Sequence, residues 1–518
     1  MNAFSRIPFH PFFFAIYPVI VLLALNSGDL QPSEGLRSLA ASVSLTALLF
    51  LLLGRLLRNS AKAAALTSLA ILLFFSYGHV YELVRNLQVA DVLIGRHRFL
   101  LTLSFLITVT ITLLVAKRRQ IGSSITVFLN LFSILALVVP VGQLVAAGAK
   151  ELSSGETAEI IIEPLPNVDI PAGTIPPDIY YIILDAYTRA DVLLNNYQYD
   201  NSSFLRSLEE LGFTIARDSR SNYAVTRLSI PSSLNMEYIE SIGPALDSNA
   251  TDAAWLDRAT KGNAVRKTLA GLGYRIVAFE TAYGMTEWPE SDLYLSPRRL
   301  SLSDQRAFSD VNQFEVLLIQ TSMGRLAIDF GTVLNNLFGT SLVAPHQAHA
   351  DRISFALDRL GRMAEISGPK FVFMHLMSPH PPYVFAPSGE FVGEDDIYTL
   401  ASREDEVGEI AGYRNQVAFL NSRLQVELKT LLESSENQPI IVIQGDHGGL
   451  GVSPEDRMKI LNAYYLPDGG NALIYDEITP VNTFRLIFDH YFDGDLPLLE
   501  DRSYYSDLER PFELLLLP

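Results

Sequence analysis

The stretch PIIVIQGDHGGLG, residues 439–451, changes character within a single step. Five of its first six residues are apolar and four of those are β-branched, which is how a strand buried on both faces reads. Gly445, Asp446, His447, Gly448 and Gly449 then follow directly. One reading is a tight turn capped by the Asp. The other is a metal site at the carboxyl end of a sheet strand, where ligands of open parallel sheets sit. The choice depends on how the other apolar runs end.

They end the same way. DIYYIILD (178–185) closes on Asp185, and KFVFMHLMSPHPPY (370–383) carries His375 and His380. Helix-like segments precede the strands. NAVRKTLAGLGY (263–274) leads into RIVAFE (275–280), RISFALDRLGRMAEIS (352–367) into KFVFMHL, and YRNQVAFLNSRLQVELKTLLESS (413–435) into PIIVIQGD. Helix, short turn and apolar strand, repeated, predicts an α/β domain with a mainly parallel sheet flanked by helices. A lone strand-end Asp is usually a helix cap, and a lone His a hydrogen-bonded core residue. Three coincident strand ends are not explained that way. Asp185, Asp446 and His447 offer oxygen and nitrogen donors suited to a divalent cation such as Mn²⁺ or Zn²⁺. SRSNYAVTRLSIPSSLNM (219–236) reads as a Ser/Thr-rich helix start, with Thr226 and Ser229 as candidate nucleophiles. A hydroxyl at a helix N-terminus beside a cation has its alkoxide form favoured by both fields.

The 518 residues allow two to four domains at about 150 residues each. Through residue 150 there are 12 Lys and Arg against 4 Asp and Glu, net +8; the remainder carries 27 basic and 53 acidic residues, net −26. The two parts therefore face different surroundings. The acidic part argues against nucleic acid as a partner. With no cysteine, disulfides, thiolate zinc sites and Cys nucleophiles are excluded.

The first part reads as membrane. Charge-poor apolar stretches cover 9–26, 38–54, 63–81, 99–116 and 121–149, each near or above the roughly 17–25 residues that span a bilayer. Basic loops at 55–62 and 117–120 are expected on the cytoplasmic side, with Arg6. Five spans then place everything after Lys150 outside the cytoplasmic membrane. His79, Glu82, His97 and Arg98 read as interfacial anchors. The division expected is a five-span transmembrane domain at 1–150, a Pro-rich linker at 151–177 and a catalytic domain at 178–518.

These residues together resemble the alkaline phosphatase/sulfatase superfamily. Within it they are similar to the membrane-anchored branch of lipoteichoic acid synthases, phosphoglycerol transferases and lipid A phosphoethanolamine transferases. YYIILDAY looks like the first metal-ligand strand, SNYAVTRLSIPSSLNM like the nucleophile segment, FMHLMSPHPPYVF like a paired-histidine stretch, and GDHG like the closing metal motif. The resemblance implies one divalent metal ion, Mn²⁺ first with Zn²⁺, Mg²⁺ or Ca²⁺ open, held by Asp185, Thr226, Asp446 and His447. It implies Thr226 as nucleophile, His380 or His375 as proton donor to the leaving group, and His375 nearer the strand end supporting the site wall. A membrane phospholipid would be the donor and a glycan or lipid the acceptor of a phospho-alcohol head group, through a phospho-threonine. A phosphodiesterase or sulfuric-ester hydrolase of the same fold is the alternative, and a binding module without activity a second one. Departures are visible: no Cys or CxPSR-type sulfatase signature, GGLGVSPEDR in place of an acidic run after the DHG, and only His490 beyond it.

Overall fold

The computed structural model of the chain describes residues 7–26, 32–85, 87–89, 92–118, 122–153, 162–243, 254–297, 313–330, 345–393, 406–507 and 510–518. They form two compact units. One holds the described residues up to 153 together with 313–330; the other holds 162–297 and the residues from 346 onward.

The first unit is helical: α1 (His10–Leu25), α2 (Leu36–Leu57), α3 (Ser60–Val84), α4 (His97–Lys117) and α5 (Ser123–Ser153). Among the described residues four stretches, Pro32–Leu57, Ser60–Val84, His97–Lys117 and Ser123–Ala146, are long and apolar enough to cross a membrane. The N-terminal helix, α1, has 16 residues, about 24 Å at 1.5 Å per residue, against a hydrocarbon core of about 30 Å. Of the four polar residues read as interfacial anchors, Glu82 and His97 are paired within this unit, while His79 and Arg98 are exposed. Arg325, from the 313–330 segment, bonds Glu82 and Asp329, each at 2.9 Å. His97 Nε2 lies 2.7 Å from Asp329, its Nδ1 meets Tyr77 at 2.9 Å, and its ring stacks on Tyr81. The buried Arg325 guanidinium thus meets two carboxylates, which is the condition for burying such a charge.

The second unit is a seven-stranded sheet with helices on both faces. Its strands are β1 (Ile179–Leu184), β2 (Thr214–Ile215), β3 (Arg275–Phe279), β4 (Leu293–Leu295), β5 (Lys370–Leu376), β6 (Ile440–Gly445) and β7 (Asn462–Tyr465). The order is β2-β7-β6-β1-β5-β3-β4; only the pairings of β7 are antiparallel. The flanking helices include α6 (Thr226–Asn235), α7 (Pro345–Leu360), α8 (Glu406–Ser434) and α9 (Pro480–Tyr491). Alternate residues of β1 serve different layers, as a pleated strand requires. Tyr180, Ile182 and Leu184 join a core with Leu357 of α7 and Leu424 and Leu428 of α8. Ile179, Tyr181 and Ile183 join another with Leu234 of α6 and Phe484 and Phe488 of α9. Burial on both faces is why these strands read as continuous apolar runs; each such side chain contributes about 1.5–3 kcal/mol.

The register sets the site. β1 runs between β5 and β6, parallel to both. Leu184 is level with Leu376 on one side and Gly445 on the other. Asp185 and Asp446 are therefore neighbours one step past the ends of adjacent strands, with His375 one position inside the end of the third.

Candidate active site

The glycines of GDHGG come first, because they let the chain close over the site. A Cβ on Gly448 would stand 2.7 Å from Arg457 O and 2.8 Å from Asp456 O, and one on Gly445 would collide with Tyr187 O. Only glycine permits these backbone approaches. On the neighbouring strand, Ala186 turns the chain away from Asp185 with φ 64°, and its N–H donates to Asp446 Oδ1 at 3.0 Å.

Asp185, His375, Asp446 and His447 are all buried, at 1–3% exposure, while Thr226 and His380 are partly open. The buried set is thus reached from the side where a hydroxyl and an imidazole stand. Asp185, His375 and Asp446 each place a ligand atom within 4.8 Å of the others. His447 Nε2 is 3.7 Å from Asp185 Oδ1 and 3.6 Å from Asp446 Oδ2. Thr226 is the first residue of α6, and its Oγ1 lies 3.1 Å from His447 Nε2. Ser229, the other hydroxyl considered, donates to Asp446 O at 2.6 Å; it braces the strand end and is buried.

Hydrogen-bond roles follow from partners that can only accept. His447 Nδ1 lies 2.9 Å from Gly448 O. A carbonyl accepts, so Nδ1 carries the proton and Nε2 presents a lone pair toward Thr226 and the carboxylates. Burial, then the nearby Arg457 charge, pulls the His447 imidazole down to about 3, so the ring stays neutral, the ligand form. His380 Nδ1 meets Pro381 O at 2.8 Å, which leaves Nε2 as the exchangeable position. Its backbone N–H donates to Asp185 O at 3.1 Å, and its ring centroid is 6.5 Å from that of His447.

The two carboxylates behave differently. Burial raises the Asp185 carboxyl, but the imidazoles around it, His380 foremost, outweigh that and hold the group below the usual range. Asp446 is pushed up to about 6, by burial first and by the Asp185 charge second. The site thus holds one firm negative charge and a second that is suppressed for want of a counter-charge. Among the described residues, Asp185 Oδ1 and Oδ2, Asp446 Oδ2 and His375 Nε2 are buried with no hydrogen-bond partner. Carboxylate oxygens left bare beside an unpartnered imidazole nitrogen are the arrangement that a divalent cation satisfies. The donors fit such an ion.

Three further residues escaped sequence reasoning. Thr286 stands 3.0 Å from His375 Nδ1; nothing in GMTEW marks it. Arg457 bonds Ala224 O at 3.0 Å and Gly449 O at 3.2 Å, tying the nucleophile segment to the DHGG turn. Its only cue was a lone basic residue in SPEDR. His349 of α7 is buried and held well below its ordinary value by burial, then by Arg352 and His380. In α8, Tyr413 donates to Ala186 O at 2.6 Å and Gln416 reaches His380 O and Pro382 O at 3.4 Å. The helix that precedes β6 thereby fixes the loops that follow β1 and β5.

Fold and site together define a class, a sheet-edge centre with carboxylate and imidazole donors and a hydroxyl on its open side. No family model and no curated protein matches the sequence. Solved structures do resemble the chain. The C-terminal periplasmic domain of EcEptC from Escherichia coli is 12% identical over 67% of this chain and 94% of that one, with a TM-score of 0.41; a second structure of that domain is a complex with Zn. The integral membrane protein lipooligosaccharide phosphoethanolamine transferase A from Neisseria meningitidis is 12% identical over 92% of this chain and 94% of its own, TM-score 0.41. The lipoteichoic acid synthase LtaP from Listeria monocytogenes is 12% identical over 65% and 80%, TM-score 0.38. A likeness at these scores carries no reaction with it; the chemistry rests on this chain's own side chains.

Proposed function

We propose that the chain is a membrane-bound, metal-dependent enzyme of the alkaline phosphatase/sulfatase superfamily. On this reading it transfers a phospho-alcohol head group, of the phosphoglycerol or phosphoethanolamine type, from a membrane phospholipid to an envelope glycan or lipid. The observation that carries this is Thr226: a partly open hydroxyl at a helix N-terminus, 3.1 Å from His447 Nε2 and beside two buried carboxylates with unsatisfied oxygens.

Asp185, Asp446, His447 and Thr226 would hold the divalent ion. When bound, the ion lowers the barrier by stabilising the threonine alkoxide and the charge on the phosphoryl oxygens. Mn²⁺ and Zn²⁺ suit this donor set best, with Mg²⁺ and Ca²⁺ behind them. Thr226 Oγ1, with its ionised form favoured by the α6 N-terminus, attacks the donor's phosphorus. His380 Nε2, on the open side, supplies a proton to the lipid alcohol as its bond to phosphorus breaks, and recovers one from the acceptor hydroxyl in the second step. The group rests on Thr226 until an acceptor hydroxyl takes it. Water in that second step makes the enzyme a hydrolase, which is the alternative reading.

The apolar N-terminal helices suit a donor that lies in the bilayer. The proposed topology counts the shorter α1 as a span beside the four longer helices, five in all, with the second unit outside the cytoplasmic membrane. The test of the reaction is mass spectrometry of the protein incubated with phospholipid and quenched. An adduct on the Thr226 peptide, absent from Thr226→Ala, supports it, and its mass names the head group. An unmodified peptide in a preparation that consumes donor refutes the covalent step. Product analysis with and without acceptor separates transferase from hydrolase.

A further inference from the structure

His375 is buried one position inside the end of β5, with Nε2 3.3 Å from Asp185 Oδ2. That pair is not aligned as a hydrogen bond, and Nε2, Oδ1 and Oδ2 are all without hydrogen-bond partners among the described residues. The other ring nitrogen is the informative one. Nδ1 lies 3.0 Å from Thr286 Oγ1, and which atom donates can be traced outward.

The trace starts at a group that only accepts. Glu287 receives Thr281 N at 2.9 Å, Thr281 Oγ1 at 3.2 Å, Ala282 N, and the Tyr294 hydroxyl. The Thr281 hydroxyl has Glu287 Oε1 and Tyr283 O as its acceptors, both at 3.2 Å. Its hydrogen therefore points to one of these, and its oxygen receives Tyr283 N at 3.0 Å and Thr286 Oγ1 at 3.1 Å. The Thr286 hydrogen is drawn to Thr281 Oγ1 or to Tyr283 O, the latter 3.3 Å away. Thr286 is thus left with a lone pair facing His375. Thr281, Thr286 and His375 are all buried, so these partners are the ones that order the network. With the Thr286 hydrogen on either of those acceptors, Nδ1 carries the His375 proton and Nε2 turns its lone pair to the space that Asp185 and Asp446 also face.

We propose that Thr286 is a positioning residue: it sets the tautomer of His375 and aims Nε2 at the cation site, making His375 a protein ligand additional to Asp185, Thr226, Asp446 and His447. The inference rests on the reading that this site holds a divalent cation. It adds that a chain of three side chains, ending in the Glu287 carboxylate, governs how tightly. A hydrogen-bond partner on the far nitrogen of a ligating imidazole is worth about 10–100-fold in metal affinity.

The test uses the full-length chain in detergent, stripped by a chelator and titrated with Zn²⁺ against a chromophoric chelator. The visible spectrum of the Co²⁺ form is recorded in parallel. Thr286→Val removes the acceptor with little change of volume; it should weaken Zn²⁺ binding by about 10–100-fold and shift the Co²⁺ bands. Thr286→Ser restores the oxygen and should bring both back. His375→Ala should change the Co²⁺ bands by loss of a nitrogen ligand, and it decides the matter if the valine variant does not fold. The proposal is overturned if Thr286→Val binds as wild type with an unchanged spectrum, if Thr286→Ser stays as weak as valine, or if His375→Ala leaves the Co²⁺ bands in place. A wild-type chain that takes up neither Zn²⁺ nor Co²⁺ overturns the metal-site reading itself.

Discussion

Asp446→Asn should make the metal-free protein more stable and the metal-loaded protein less so. The Asp446 carboxyl is raised from 3.8 to about 6, by burial and then by the Asp185 charge. At 1.36 kcal/mol per pH unit, holding it ionised costs about 3 kcal/mol above pH 6. Asparagine keeps an oxygen for the Ala186 N–H, now 3.0 Å from Oδ1, and turns an NH₂ rather than a second negative charge toward Asp185. The penalty belongs to an acid whose folded-state value is raised. It is absent below about pH 3.8, grows between 3.8 and 6, and is full above 6. Melting curves in chelator should therefore coincide near pH 4 and separate by pH 8, with the variant higher by up to about 3 kcal/mol of unfolding free energy. Added Mn²⁺ or Zn²⁺ reverses the order. A cation at about 1,000 times its dissociation constant adds about 4.1 kcal/mol to wild type, more than the roughly 3 kcal/mol penalty, and far less to a site that has lost a carboxylate. Differential scanning fluorimetry of both proteins, with chelator and with metal, measures all four states. Equal melting in chelator at pH 8, together with equal gains from metal, would refute the claim that these two carboxylates repel each other across a cation site.

The same protonation makes metal affinity pH-dependent: it should be flat above pH 6 and fall about tenfold per pH unit below it, one proton competing with the ion; a flat profile from pH 7 to 5 contradicts the ligand role of Asp446. His380→Ala should lower turnover by roughly 10²–10⁴-fold, the scale of a general acid, with metal content unchanged by elemental analysis; full donor consumption removes His380 from the reaction. Gly448→Ala puts a Cβ 2.7 Å from Arg457 O and should cost roughly 1–3 kcal/mol, read as a lowered melting temperature in chelator as well as in metal. A reporter active only outside the cytoplasm, fused after Pro518, should be on; an active cytoplasmic reporter at the same place reverses the topology.

The residues after 439 show how far local chemistry reaches. A β-branched run that stops at Gly-Asp-His-Gly-Gly declares a buried parallel strand ending in donors, because strand burial and backbone approach are local demands written in residue type. The same holds for the run that ends at Asp185, for the two-carboxylate, two-imidazole inventory, and for the long apolar helices before residue 150. Strand order is not local. That β1 lies between β5 and β6, level at Leu184, Leu376 and Gly445, is a pairing of segments far apart in the chain, and only this brings Asp185 beside Asp446. Thr286 and Arg457 were invisible for the same reason: each acts through one hydrogen bond made across the fold, to His375 on a strand 89 positions away and to Ala224 O, 233 positions away. The packing of residues 313–330 with the helices of the first unit was equally illegible, since Arg325 pairs with Glu82 across 243 positions. Residue type and period announce what a segment must bury and what chemistry it carries; contacts between distant segments, fixed by packing alone, decide which of those chemistries meet.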